Sequence, residues 1–416
     1  MSELTLKSKY EIKELQLNAL LEITQAINSN LPEDSLYKIY NFTLRSNLNI
    51  EKLALFVLDE EWELKVNFGT KKKFNKTHLL PAFKTIQDIA HLKEFEEECD
   101  LSVFDIIVPV AHKGNTLALV FVGGLDLPGG QASKNGTSDL HNDNIKFIQA
   151  LSNIIIVAIE NKKLARRQLE QEAFRKELEI ASDVQQFLFP ETLPNTEILK
   201  VEASYLPHDL IGGDYYDYIP INKNQFLLCV ADVSGKGIPA ALMMSNFQAS
   251  LRTLLRQTPN LTDIIEALNF QVMENTKGEK FITFFAAIYD IRLKTMVYVN
   301  SGHNPPILWT KKDGIRMLED GSTVLGAMHP LPFLNEGFVT GLDEFLLFCY
   351  TDGLTETVNA EGKEFGVEFL TEYFSKPETY FKELKTIHQD IIVSLDTFKG
   401  NMGYHDDITI LSCRVS

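Results

Sequence analysis

Apolar side chains recur at helical spacing over residues 10 to 29, at Leu17, Leu20, Leu21 and Ile27, with polar Thr24 interrupting. The segment NSNLPEDS ends that helix and starts another, with Pro32 near the new first turn. Four short β-rich runs follow: KLALFVLD, EWELKVNF, FDIIVPV and TLALVFVGG. The polar, glycine-bearing stretch LDLPGGQASKNGTSDLHNDN reads as a loop. Together these elements predict an α/β domain of about 130 residues, a usual domain size.

From Asn144 to Phe187 no Pro or Gly interrupts the chain. Small and apolar residues recur there at three- and four-residue steps: Leu151, Ile154, Ala158, Ala165, Leu169, Ala173, Ile180, Val184 and Phe187, broken by polar Asn161 and Glu177. One continuous helix of that length runs about 66 Å, which suits a connector pairing with its copy as a parallel coiled coil. Two ordinary helices meeting end to end satisfy the same pattern. Beyond Pro190 the pattern changes to strands: FLLCVADV, FITFFAAIYDI, KTMVYVNSG, EFLLFCYTDG and DDITILSCRV. Two helical stretches accompany them, IPAALMMSNFQASLRTLLRQ and one within 366–397, which predicts an α+β sandwich with helices covering the sheets.

Bulk properties narrow the function. The 416 residues, 44% hydrophobic, suffice for two or three domains with cores of their own. A formal net charge of −17 disfavours nucleic acid and anionic membrane as partners. Cys99, Cys229, Cys349 and Cys413 form no CxxC pair and no zinc spacing, so a reducing cytoplasm is the expected location. Cys229 and Cys349 lie inside apolar strands and read as core packing. The longest apolar runs, LALFVL and NIIIVAI, fall far short of the roughly 20 residues of a membrane span, and the charged first residues have no signal-peptide pattern.

The candidate chemistry is acidic. Asp214 follows two glycines in LIGGDYYDY, Asp232 ends FLLCVA, Asp352 follows FLLFCYT, and Asp406 and Asp407 open the last strand. A single such Asp is ordinarily a turn former or a helix cap. Carboxylates delivered by four segments to one place repel unless cations lie between them, and hard oxygen ligands select Mg²⁺ or Mn²⁺. Two such ions can activate a water for in-line attack on phosphorus.

The motifs GGDYYD, ADVSGKGIPAAL, FITFFAAIYD, SGHNPP, YTDGLTE and DDIT resemble, in that order, the PPM family of metal-dependent protein serine/threonine phosphatases, and most closely its SpoIIE/RsbU branch. DVQQFLFPETLP resembles the segment preceding that domain. The resemblance implies an α-β-β-α sandwich over 191–416 and two Mn²⁺ or Mg²⁺ ions. Asp232 would bridge the ions, the Val233 carbonyl would help ligate one, and Asp352 and Asp406 would complete the set. Asp232 and Asp352 would then act through metal-bound water. Asp214 would be a further ligand or would orient that water, and Asp407 is the alternative to Asp406. The implied substrate is a phosphorylated STAS-domain protein in partner switching.

Two positions depart from the pattern. Lys236 stands where many relatives have His, and the phosphate-clamping Arg of eukaryotic relatives has no matching position. Lys236 then either meets a phosphate or is a solvated loop charge. His303 is either a proton donor or a structural hydrogen-bonder. Ser234 lacks the G-x-S-x-G frame of a nucleophile.

The earlier segments resemble a GAF domain. The expected organisation is an N-terminal helix over 1–30, a GAF-like sensor domain with an unknown ligand or only a dimerising role over 31–160, and a helical connector over 161–190. A homodimer is expected. Competing readings are a non-catalytic signalling scaffold, against which the complete carboxylate set argues, and a metallo-hydrolase of small phosphoesters.

Overall fold

The computed structural model describes residues 3–48, 50–95, 100–124 and 137–416. Two compact units divide the chain, Met1–Glu172 and Ala173–Ser416.

The first unit contains helices α1 (Glu3–Asn28) and α2 (Glu33–Asn47) and strands β1 (Lys52–Leu58), β2 (Trp62–Phe68), β3 (Ala90–His91), β4 (Ile106–His112) and β5 (Asn115–Gly123). The strands pair antiparallel in the order β2-β1-β5-β4-β3. Both faces of the sheet are apolar because its strands β1, β4 and β5 are near-continuous apolar runs rather than alternating ones. Leu53, Leu55 and Val57 pack with helical residues such as Ile23, Tyr40 and Ile148, while Ala54 and Phe56 face an aromatic cluster with Phe83, Phe104 and Phe121.

Helix α3 runs without a break from Thr137 to Gln186. Of the stretch read as a loop, residues 125–136 lie outside the described residues, whereas Thr137–Asn144 opens α3. Polar composition suggested the loop there, but a helix anchored by buried Ile145, Phe147, Ile148 and Leu151 extends at the gain of one hydrogen bond per residue fixed. Along α3, Leu169, Ile180 and Val184 fall on one face at 100° per residue, and all three are exposed, as is Phe187 just past the end of the helix.

The second unit continues with β6 (Leu199–Leu206), β7 (Tyr215–Pro220), β8 (Gln225–Val233), α4 (Ile238–Gln257), α5 (Leu261–Thr276), β9 (Ile282–Asp290), β10 (Thr295–Ser301), β11 (Ile307–Thr310), β12 (Gly314–Met317), β13 (Gly321–Ser322), β14 (Gly337–Thr340), β15 (Phe345–Tyr350), α6 (Asp352–Thr355), α7 (Val367–Ser375), α8 (Leu384–Lys399) and β16 (Ile408–Val415). One sheet has the order β13-β10-β9-β8-β7, with β14 also on β10, and the other has the order β12-β11-β15-β16-β6. Leu228, Val230 and Phe285 of the first meet Leu347, Cys349 and Leu411 of the second between the sheets. Helices α4 and α5 cover one outer face and α7 and α8 the other, giving an α-β-β-α sandwich. Cys229, Cys349 and Cys413 are buried in these cores, and Cys99 lies outside the described residues.

Helix α5 is an addition to the two helical stretches expected from the sequence. It buries Leu261, Ile264, Ile265, Leu268 and Val272 at helical spacing, and the Asn260 side chain caps its start by accepting from the Thr262 N–H. Among the described residues no helix is long and apolar enough to cross a membrane.

Candidate active site

Strand alternation aims the acidic residues. Phe226, Leu228 and Val230 point between the sheets, so Asp232 takes the same direction where β8 ends. On β15 the inward series Phe345, Leu347 and Cys349 leads to Thr351, and on β16 the series Val415, Cys413 and Leu411 leads to Thr409 and Asp407. One end of the inter-sheet space is therefore closed by polar groups. Asp214, just before β7, enters it and is 1% exposed.

The partners of each carboxylate differ. Asp214 accepts from the Thr351 hydroxyl at 2.8 Å and the Thr409 hydroxyl at 2.6 Å, both on Oδ2. Asp407 is held by two backbone N–H groups, that of Gly213 at 2.7 Å and that of His208 at 2.8 Å. Asp406 instead faces Lys236, whose ammonium lies 3.0 Å from its Oδ2 and also donates to the His405 carbonyl. Asp352 opens α6, and the adjacent Gly353 lies so close to β16 that a Cβ there would sit 2.0 Å from the Asp407 carbonyl oxygen. The Val233 carbonyl oxygen would be 3.1 Å from a Cβ on Gly213, so the β8 end and the 212–214 loop are in close approach.

Burial and neighbouring charge shift these carboxyls. Burial raises the pKa of Asp214 well above the usual carboxylate range, and the charge of Asp232 raises it further. Asp232 is raised by its own burial, then by Asp352 and Asp406, with partial relief from hydrogen bonding to Asp214. Burial, Glu356 and Asp406 lift Asp352 to about 6. Asp407 is raised by burial, against which the His208 and Gly213 N–H groups pull. In each case burial is the largest cause, and at least one neighbouring carboxylate adds to it.

Hard, buried oxygen donors that destabilise one another fit divalent cations in their chemistry. Among the described residues, however, no three His, Cys, Asp or Glu side chains converge tightly enough to grip one ion as they stand. The N–H, hydroxyl and ammonium partners just described hold Asp407, Asp214 and Asp406 in their separate directions.

The neighbouring candidates, His303 and Ser234, each make a hydrogen bond of their own. His303 is buried, its Nδ1 is 2.8 Å from the Thr283 hydroxyl, and burial pushes its pKa down to about 4, so the ring is neutral. Thr283 is the β9 partner of Asp232 in the ladder. The Ser234 hydroxyl accepts from the Phe281 N–H at 3.0 Å.

Three features were not anticipated. Thr351 and Thr409 clamp Asp214, although both lie inside quoted motifs and on the inward parity of their strands. Asp217, fully buried, receives a bidentate pair from Arg252 of α4 at 2.7 and 2.9 Å and a hydrogen bond from Tyr215. Gln185 contacts the 212–214 loop across 27 residues of sequence, which no local pattern signals.

Residues 222–416 match the family described as Stage II sporulation protein E (SpoIIE). The chain is 30% identical over 248 residues to the phosphoserine phosphatase RsbU of Bacillus subtilis, covering 59% of this chain and 71% of RsbU. It is 25% identical over 187 residues to the phosphoserine phosphatase RsbP of the same organism, covering 44% of this chain and 46% of RsbP. The solved PP2C domain of SiaA from Pseudomonas aeruginosa shares the fold, with a TM-score of 0.52 at 20% identity over 59% of this chain and 99% of that domain. The chain belongs to the SpoIIE/RsbU family and is a PP2C-type serine/threonine protein phosphatase.

Proposed function

We propose that two Mn²⁺ or Mg²⁺ ions bind at the polar end of the sandwich. The donors would be Asp232, the Val233 carbonyl, Asp352 and Asp406, with Asp214 behind them. Bound there, the ions would supply Lewis acidity and a water acidic enough to attack phosphorus. The observation that carries this reading is that separate strand ends bring Asp214, Asp232 and Asp352 to the one polar end of the inter-sheet space, where burial first and neighbouring carboxylates second raise their proton affinity. Asp406 is preferred to Asp407 because both Asp407 oxygens already accept backbone N–H bonds. Asp407 then fixes the loop that presents Asp214. Lys236 must release Asp406, which makes the ammonium a placeholder for positive charge.

The substrate is phosphoserine or phosphothreonine on a folded partner, a STAS-domain protein. Acidic net charge and the lack of a clamping Arg favour docking of a folded surface over capture of the phosphate alone. The exposed α3 face of Leu169, Ile180 and Val184 supports a parallel dimeric connector, through which the first unit, a GAF-like sensor, would regulate the second.

Turnover by the full chain should require Mn²⁺ or Mg²⁺ and should favour a phosphorylated STAS domain over a phosphopeptide cut from it. Full activity in EDTA sinks the metal assignment, and equal kcat/KM for the two substrates sinks the docking one. Replacing Ala165 and Leu169 by Glu should weaken dimerisation in sedimentation and change turnover. A monomer with parent turnover leaves the connector only a tether.

A further inference from the structure

Gln185, in the last turn of α3, is 6% exposed, and both ends of its amide bond to the same residue. Its Nε2 donates to the Gly212 carbonyl at 2.7 Å, and its Oε1 accepts from the Gly212 N–H at 3.3 Å. Gly212 lies in no strand, so this one side chain meets the backbone donor and the backbone acceptor of a buried residue. A Cβ at 212 would sit 2.1 Å from the Tyr205 hydroxyl and 2.2 Å from Asp407 Oδ2, so any larger residue would have to push those two side chains aside. The next N–H, of Gly213, donates to Asp407, and the residue after that is Asp214. Three consecutive residues thus join the end of α3 to two carboxylates of the site.

A second tie lies nearby. The Gln248 side chain on α4 donates to the Leu188 carbonyl at 3.1 Å, fixing the chain just beyond α3 without touching the 212–214 loop.

We propose that Gln185 is a positioning residue for the cation site: its amide sets the height of the Gly212–Gly213–Asp214 loop, and with it the presentation of Asp214 and Asp407. This rests on the two-cation reading above. An alternative role, as an interior amide that only stabilises the unit, predicts lower thermal stability with unchanged ion binding.

The test uses the full chain, with Mn²⁺ binding measured by calorimetry, thermal melting, and p-nitrophenyl phosphate turnover across Mn²⁺ concentrations. Gln185→Met keeps the length and removes both hydrogen bonds. It should weaken Mn²⁺ binding about tenfold or more and raise the Mn²⁺ needed for half-maximal turnover by the same factor. Gln248→Met should lower the melting temperature while leaving Mn²⁺ binding within twofold of the parent, and exposed Gln186→Met should change neither. Gln185→Asn, which keeps the amide but shortens its reach by one methylene, should give an intermediate loss, and it decides the matter where the Met variant does not fold. Mn²⁺ binding within twofold of the parent in the folded Gln185 variants overturns the proposal and leaves the two-cation reading standing. A parent chain that binds no Mn²⁺ overturns both.

Discussion

The two units close their sheets in opposite ways. In the first, Phe56, Phe83, Phe104 and Phe121 fill the face of the sheet opposite the helices, with Phe121 5.8 Å from Phe56 and 5.6 Å from Phe83, centre to centre. In the second, apolar packing between the sheets stops at Asp232, Thr351, Thr409 and Asp407, where carboxyls raise one another's proton affinity. The first arrangement gives its energy to stability. The second holds groups in a conflict that a cation can resolve, and that conflict marks where chemistry is located.

Variants separate the two regimes. Asp232→Asn should lower Mn²⁺-dependent turnover by about three orders of magnitude or more, while the metal-free chain melts no lower than the parent because a like charge is gone. Turnover at the parent level would remove the carboxylate from the reaction. Phe121→Ala should do the reverse, costing about 3–5 kcal/mol of stability in denaturant titration while the turnover of folded protein stays near the parent value. An undiminished midpoint would mean that the aromatic face is loosely packed.

The third prediction uses pH. A raised carboxyl pKa means that the folded, metal-free site holds protons that an incoming ion must displace. Below the value of about 6 for Asp352, Mn²⁺ affinity should fall up to about tenfold per pH unit for each proton released, and it should level off above the pKa values of the cluster. Calorimetry in buffers of different ionisation enthalpy measures the protons released, and an affinity flat from pH 5 to 8 contradicts the arrangement. The smallest effect belongs to Lys236→Met. Freed of its ammonium, Asp406 should bind Mn²⁺ a few-fold more tightly, whereas weaker binding would show that Lys236 serves the site directly.

Much of this end of the molecule was readable in advance. Apolar runs that stop at Asp232 and Asp352 show where strands leave a core, because a charge cannot continue the run. Motif resemblance alone does not separate Asp406 from Asp407, yet strand parity bears on the choice: Thr409, Leu411, Cys413 and Val415 share a face, and Asp407 extends that face inward. Helix α5 was equally legible in its spacing but sits behind the turn-like TPNLTD. Gln185 was not legible, since its partner is a glycine peptide that reaches it only after the chain turns back. The Asp217–Arg252 pair belongs with it, because strand and helix periods say nothing about which buried acid meets which base.

The pairing of β6 with β16 bears on time. Leu206 lies opposite Ile408 and Leu199 opposite Val415, so this ladder joins segments separated by almost the whole second unit. Loop-closure entropy makes such contacts slow to form. Gly213 can reach Asp407, and Thr409 can reach Asp214, only once that ladder is in place. During refolding, cation-dependent turnover should therefore return after the helical signal has recovered, so that activity marks the last step of assembly.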